Sequence, residues 1–188
     1  MLNRLVERVR HAFGGKPSIE TLVVFYSAQI SLAASACAQS AIANGERVDP
    51  ERRYDLTFEF VTALLNLVDR KLFANDRERR DEIMDGLCAM TYSHLAEEFP
   101  SSEGFDQQMA SLSEKYADVT QEFFEFKKNF PDKDDSPKGT FFWEFGKRFA
   151  TACHHKDDIG YVTVGSTILV GALTVITRMA KKCGHQRN

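Results

Sequence analysis

The stretch FDQQMASLSEKYADVTQEFFEFKKNF, residues 105–130, decides the fold. Its apolar residues alternate steps of four and three, which is the spacing of a helix that packs along the whole length of another helix. The stripe therefore predicts one long amphipathic helix whose partner is another helix of this chain or of a second copy. The residues of the stripe are Phe105, Met109, Leu112, Tyr116, Val119, Phe123, Phe126 and Phe130.

The rest of the chain follows the same plan. Glycine and proline clusters separate apolar segments of helical period, and no alternating segment bounded by hairpin turns occurs between them. We therefore predict an all-α, single-domain bundle of about seven helices over residues 1–188. Residues 1–17 form an amphipathic helix and linker, and residues 178–188 form a basic tail. The predicted helices are residues 2–13, 18–44, 50–73, 77–99, 105–130, 139–155 and 158–182.

Two of these segments, residues 21–44 and 159–177, contain no charged residue. An uncharged helix either lies at the centre of a bundle or spans a bilayer. Gln29 and Gln39 would be costly against lipid, so we predict that both helices are buried centrally in a soluble bundle. The membrane alternative stays open, because basic residues precede the first segment and follow the second, as in a protein that spans the bilayer twice.

Small residues suggest how the two uncharged helices meet. Ala33, Cys37 and Ala41 recur every four residues on the first, and a ridge of this kind allows close approach of another helix. Gly165 and Gly171 lack bulk on the second. We therefore expect the two helices to pack against each other through these positions.

Charge and cysteine usage restrict the class of protein. The net charge of −3 argues against a generic nucleic-acid-binding protein. The charge is unevenly spread, because residues 93–135 hold 11 acidic and 4 basic residues, whereas residues 178–188 hold four basic residues and no acidic one. The four cysteines form no CxxC pair, which favours free thiols and a cytoplasmic location.

No motif for catalysis, cofactor binding or metal binding occurs. Gly-x-Ser-x-Gly, a glycine-rich phosphate loop and His-Glu-x-x-His are all absent from the sequence. His94 and Glu98 are spaced to share one helix face and are the weak candidates for a metal site, but nothing in the sequence pairs with them. We therefore predict no cofactor, no metal and no catalytic residue.

The aromatic run at residues 141–145 is the candidate for a ligand or partner surface. Its four rings cannot all face one side of a helix. Phe141, Trp143 and Phe145 are therefore the candidate surface residues, and burial in the core is the alternative interpretation.

The sequence contains apolar patterns of helical period but no motif for catalysis, cofactor binding or metal binding. This combination favours a non-enzymatic cytoplasmic bundle that acts through protein–protein contacts, with self-association as a homodimer. One alternative is a bundle that binds an apolar small molecule in a cavity lined by phenylalanine. A second alternative is a membrane-associated helical protein.

Overall fold

The computed structural model describes residues 17–44, 48–100, 105–126, 128–133 and 135–182. These ranges contain six α-helices and no strand, so the all-α class is confirmed, with six helices instead of about seven. The predicted helix at residues 2–13 and the end of the basic tail lie outside the described residues. The helices are α1 (Ile19–Asn44), α2 (Arg53–Asn75), α3 (Arg80–Glu98), α4 (Phe105–Phe124), α5 (Phe141–Ala152) and α6 (Ile159–Lys182).

Helix α2 lies at the centre and contacts all five other helices. Nearly every residue from Leu56 to Asp69 is buried, including polar ones. The polar side chains are satisfied locally: the Thr62 hydroxyl donates to the Phe58 carbonyl at 2.8 Å, and the Asn66 amide donates to the Thr62 carbonyl at 2.9 Å. A helix with polar residues can therefore occupy the centre without leaving these groups unpaired.

The prediction that the two uncharged helices are the central ones is wrong. Helices α1 and α6 lie beside α2, and each buries one face and exposes the other. The side chain of Leu32 on α1 is 64% exposed and that of Val175 on α6 is 55% exposed. An uncharged helix can be buried on all sides, but the absence of charge does not predict how many other helices pack against it.

Helices α1 and α6 do contact each other, as expected, but the glycines of α6 are used differently. A Cβ built on Gly165 would lie 2.5 Å from the ring of Phe149 on α5, so this glycine accommodates α5 rather than α1. On the facing helix, a Cβ on Gly146 would lie 2.3 Å from the Val162 carbonyl oxygen. Gly171 has nothing within 4 Å of its Cβ position. The closest helix packing in this part of the fold is therefore between α5 and α6.

The apolar stripe of residues 105–130 is buried against this chain along α4, because α4 packs on α3 and α2. Leu112, Val119 and Phe123 are buried, which confirms the predicted partner-facing side. The helix ends at Phe124, however, and Phe130 lies beyond it with its ring stacked on Phe142 at 4.4 Å. The side chain of Phe105 lies outside the described residues.

One arginine contacts the end of α4. Arg70 on α2 donates from Nη2 to the Phe123 carbonyl at 2.6 Å and from Nη1 to the Asn129 side chain at 3.1 Å. The Phe123 carbonyl also accepts a hydrogen bond from the Phe126 amide at 3.2 Å, so the last turn is a tighter one and Arg70 adds a second donor to its carbonyl.

Candidate functional site

The uncharged outer sides of α1 and α6 form the most unusual surface of the described chain. Both helices are long and apolar enough to cross a membrane, by length and composition only. Yet only 39% of the most apolar 18 residues of α1 and 28% of those of α6 are buried, whereas nearly every residue of α2 from Leu56 to Asp69 is buried. We call this surface the outer face. Its exposed residues are Val24, Leu32, Ala36, Gln39, Ser40, Ala43, Ile159, Gly160, Thr163, Val164, Thr167, Gly171, Thr174 and Val175.

The threonines make the outer face of α6 less polar than its sequence suggests. Each of the exposed hydroxyls of Thr163, Thr167 and Thr174 donates to the carbonyl four residues earlier on the helix, at 2.8 Å in each case. Their hydrogen-bond donors are therefore already used within the helix, and these residues do not depend on water to satisfy them.

Basic side chains gather at one end of the outer face. Burial lowers the pKa of Lys71 on α2, and the nearby charge of Lys181 on α6 lowers it further, so the two ammonium groups are neighbours. Arg178 is exposed one turn before Lys181. The same end holds the start of α1, because Arg79 donates to the Pro17 carbonyl at 2.8 Å and lies just after α2. The outer face is thus uncharged along its length, with the exposed basic residues Arg178 and Lys181 where α6 ends and the exposed acidic Glu20 where α1 begins.

The aromatic residues predicted to form a ligand or partner surface are mostly core residues. Phe141 and Phe145 are fully buried. The Phe141 ring lies 4.5 Å from that of Phe123, and the Phe145 ring lies 5.2 Å from that of Phe60. These two residues are therefore not available on the surface. Trp143 is half-buried, and its contribution to a partner surface stays a prediction.

The weak metal candidates hold helices together instead. The Nδ1 atom of His94 lies 3.3 Å from the Ser31 hydroxyl on α1. Glu98 accepts a hydrogen bond from the Ser35 hydroxyl at 2.9 Å and another from Arg53 on α2. These contacts join α3 to α1 and α2. Within the described ranges, no group of three or more His, Cys, Asp or Glu residues could hold a metal ion.

The cysteines in the described part of the chain are not activated nucleophiles. Burial raises the pKa of Cys37, Cys88 and Cys153 to about 11, from 9.0. A thiol with so high a pKa is almost entirely protonated near neutral pH, and the thiolate is the reactive form. Cys153 is buried, Cys37 and Cys88 are half-buried, and Cys183 lies outside the described residues.

An open groove of about 680 Å³ lies between α2, α4 and α5, and no pattern in the sequence predicted it. Arg148 spans it, donating to both carboxylate oxygens of Glu59 at 2.8 and 2.9 Å and to Glu122 at 2.7 Å. Arg148 and Glu59 are far apart in the sequence and lie on different helices. No local pattern could have indicated this pair, since only the packing of α5 against α2 brings the two residues together.

The fold and the outer face define an all-α bundle in which two uncharged helices remain half exposed. No family model, no curated protein and no solved structure matches this chain.

Proposed function

We propose that this chain is a non-enzymatic cytoplasmic helical bundle that acts through protein–protein contacts made by its outer face, first of all with a second copy of itself as a homodimer. The observation that carries the proposal is the exposure of an uncharged surface along two neighbouring helices. Val24, Leu32, Val164 and Val175 are each about half exposed or more. Extended apolar surface of this kind is typical of interaction sites.

The shape of the outer face favours a helix as its occupant. Thr163, Thr167 and Gly171 follow one another at intervals of four residues, and small residues at this interval allow two helices to approach closely. Gly171 leaves open space above the helix that a partner side chain could fill. Since the threonine donors are used within α6, burial against a partner leaves no hydroxyl hydrogen unsatisfied.

Measurement of the molar mass in solution tests the proposal. Light scattering coupled to size exclusion should give a dimer that dissociates on dilution. Thr167→Lys places a charge within the outer face and should give a monomer, because an interfacial charge without a partner is costly to bury. Gln121→Lys adds the same charge at an exposed position of α4 and should leave the dimer intact.

Two results would overturn the homodimer. One is a monomer at every concentration, and the other is a dimer that Thr167→Lys leaves unchanged. Neither result depends on a folding defect, because Thr167 and Gln121 are both exposed and circular dichroism verifies the helix content of each variant.

A membrane-associated protein is the second candidate, and one observation favours it. The basic end formed by Lys71, Arg178 and Lys181 is positioned as in segments that meet an anionic membrane surface. Flotation with vesicles of phosphatidylcholine and phosphatidylserine separates the two candidates. A dimer that stays at the bottom of the gradient supports the protein contact, whereas a chain that floats with the vesicles supports the membrane.

No observation favours the apolar small-molecule alternative. The phenylalanine rings at the centre of the bundle contact one another, as Phe60 does with Phe145 and Phe149 at 5.2 and 5.8 Å. The groove between α2, α4 and α5 is open and its edges are charged, which suits a larger and more polar partner.

A further inference from the structure

The groove between α2, α4 and α5 is a second surface of the bundle, separate from the outer face. None of its lining residues belongs to α1 or α6. Its floor contains three of the phenylalanines together with a tyrosine and a valine, of which Tyr54 and Phe126 are half-buried and the others are buried. These residues are Tyr54, Phe58, Val119, Phe123 and Phe126.

The edges of the groove are acidic. Five carboxylates line it, against the three cations Lys115, Lys147 and Arg148. Two of those cations are held by carboxylates already, because Lys147 pairs with Glu144 at 2.7 Å and Arg148 pairs with two glutamates. The lining residues therefore carry a net negative charge, but Asp55 also pairs with Arg52 at 3.0 Å, which leaves Asp118 as the one lining carboxylate without an ion pair among the described residues.

The excess negative charge is concentrated on α4. Asp118 is exposed at the edge of the groove, and Glu114 is exposed one turn earlier on the same side of the helix. Neither forms an ion pair within the described part of the chain. Like charges four residues apart on a helix repel each other, so a basic partner along this edge would stabilise the pair.

Arg148 gives the groove a rigid wall. Its guanidinium joins Glu59 on α2 to Glu122 on α4, and its side chain is only 26% exposed. The three helices that form the groove are thus tied together by one residue of α5.

We propose that this groove binds an amphipathic helix with a basic polar face. The apolar side of such a helix covers Tyr54 and Phe126, the accessible rings of the floor, and its lysines or arginines meet Asp118 and Glu114 at the α4 edge. This is the helix-in-groove mode of recognition, in which apolar anchors supply affinity and the charges at the edge supply specificity. The proposal does not depend on self-association through the outer face.

A model peptide tests the proposal with the full chain. The probe is a fluorescently labelled peptide of leucine and lysine, about 14 residues or ~21 Å long as a helix, with leucines along one side. Its control carries glutamate in place of every lysine. Fluorescence anisotropy should show saturable binding of the lysine peptide, weakened by added salt because the edge charges are exposed, and at least tenfold weaker binding of the glutamate peptide.

Two charge variants locate the binding. Asp118→Lys should weaken binding of the lysine peptide about tenfold. Glu97→Lys makes the same change at an exposed position on α3 outside the groove, and should change the affinity less than about twofold. Equal effects of the two variants would show that the peptide responds to overall charge and not to the groove. That result, or no saturable binding, would overturn the proposal.

Discussion

Gly165 lies directly against the ring of Phe149, so that a Cβ on this glycine would come within 2.5 Å of the ring carbons. The contact joins α6 to α5 at a position where only a hydrogen fits. A methyl group there cannot be accommodated by a small adjustment, because Phe149 is itself buried and 1% exposed. The distance thus identifies one glycine of α6 as a packing requirement.

Gly165→Ala should therefore lower the free energy of unfolding by about 1–3 kcal/mol, the usual cost of an overpacked core position. Gly171→Ala is the matched control on the same helix, because nothing lies within 4 Å of its Cβ position. It should leave stability unchanged or raise it by up to about 1 kcal/mol through helix propensity. Urea denaturation followed by circular dichroism measures both, and equal effects would contradict the α5–α6 packing.

The stripe on α4 makes a second pair of variants possible. Phe123 is 1% exposed and its neighbour Phe124 is 63% exposed. Phe123→Ala should cost about 3–5 kcal/mol, because it opens a cavity next to Phe141. Phe124→Ala should cost less than about 0.5 kcal/mol. A cost below about 1 kcal/mol for Phe123→Ala would mean that the stripe is not buried.

Arg148 and Lys147, two of the three cations at the groove, should differ in how much their replacement lowers the free energy of unfolding. Arg148→Ala leaves the carboxylate of Glu59, which is 15% exposed, without its bidentate partner. We expect a loss of about 1–3 kcal/mol for this unsatisfied group. Lys147 is 54% exposed, and Lys147→Ala should cost at most about 1 kcal/mol, as is usual for a surface ion pair. A larger loss for Lys147→Ala than for Arg148→Ala would contradict the structural role of Arg148.

The buried thiols predict a pattern of chemical reactivity. In a Cys183→Ser background the remaining thiols are Cys37, Cys88 and Cys153, each with a pKa of about 11 in the folded chain. Alkylation by iodoacetamide should be slow at pH 8 and should keep rising with pH beyond 9. In urea the rate should level off above about pH 9, near the ordinary thiol pKa. Rapid native labelling at pH 8 would show an activated thiol.

The same raised pKa values predict how stability depends on pH. Between about pH 9 and pH 11 the thiols of the unfolded chain lose their protons while those of the folded chain keep them. The folded state then binds more protons, so the free energy of unfolding falls as pH rises through this window. Burial also raises the pKa of Tyr92 and Tyr116, which extends the fall to higher pH. Urea midpoints that stay constant from pH 8 to pH 11 would contradict this prediction.

The local helix signals in the sequence predicted where the six described helices lie and which side of α4 faces inward. Glycine and proline positions marked the breaks, and the steps of four and three identified Leu112, Val119 and Phe123 as buried. These features depend only on residues close together in the chain. The sequence did not predict that α4 ends at Phe124, where the Phe123 carbonyl accepts hydrogen bonds from the Phe126 amide and from Arg70, a residue more than fifty positions away.

The central helix could not be identified in the same way. Helix α2 carries Thr62, Asn66 and Asp69 among its buried residues, so its sequence is less apolar than that of α1 or α6. Its Thr62 and Asn66 side chains donate to carbonyls of the same helix, and Asp69 accepts a hydrogen bond at Oδ2 from Nη2 of Arg80 at 2.8 Å. Sequence hydropathy does not register such pairing. The outer face and the groove were missed for the related reason that both join residues from separate helices.

The loop between α4 and α5 is closed at its base by two backbone hydrogen bonds. The amide of Phe141 donates to the Lys128 carbonyl at 2.9 Å and that of Phe142 donates to the Asn129 carbonyl at 3.3 Å, next to the contact between Arg70 and Asn129. Residues 131–133 and 135–139 beyond this base are exposed. The peptide links of the loop thus contribute little to holding the fold together. A chain nicked there by a protease would remain one particle, its two fragments joined by the base and by the packing of α5 and α6 on α2.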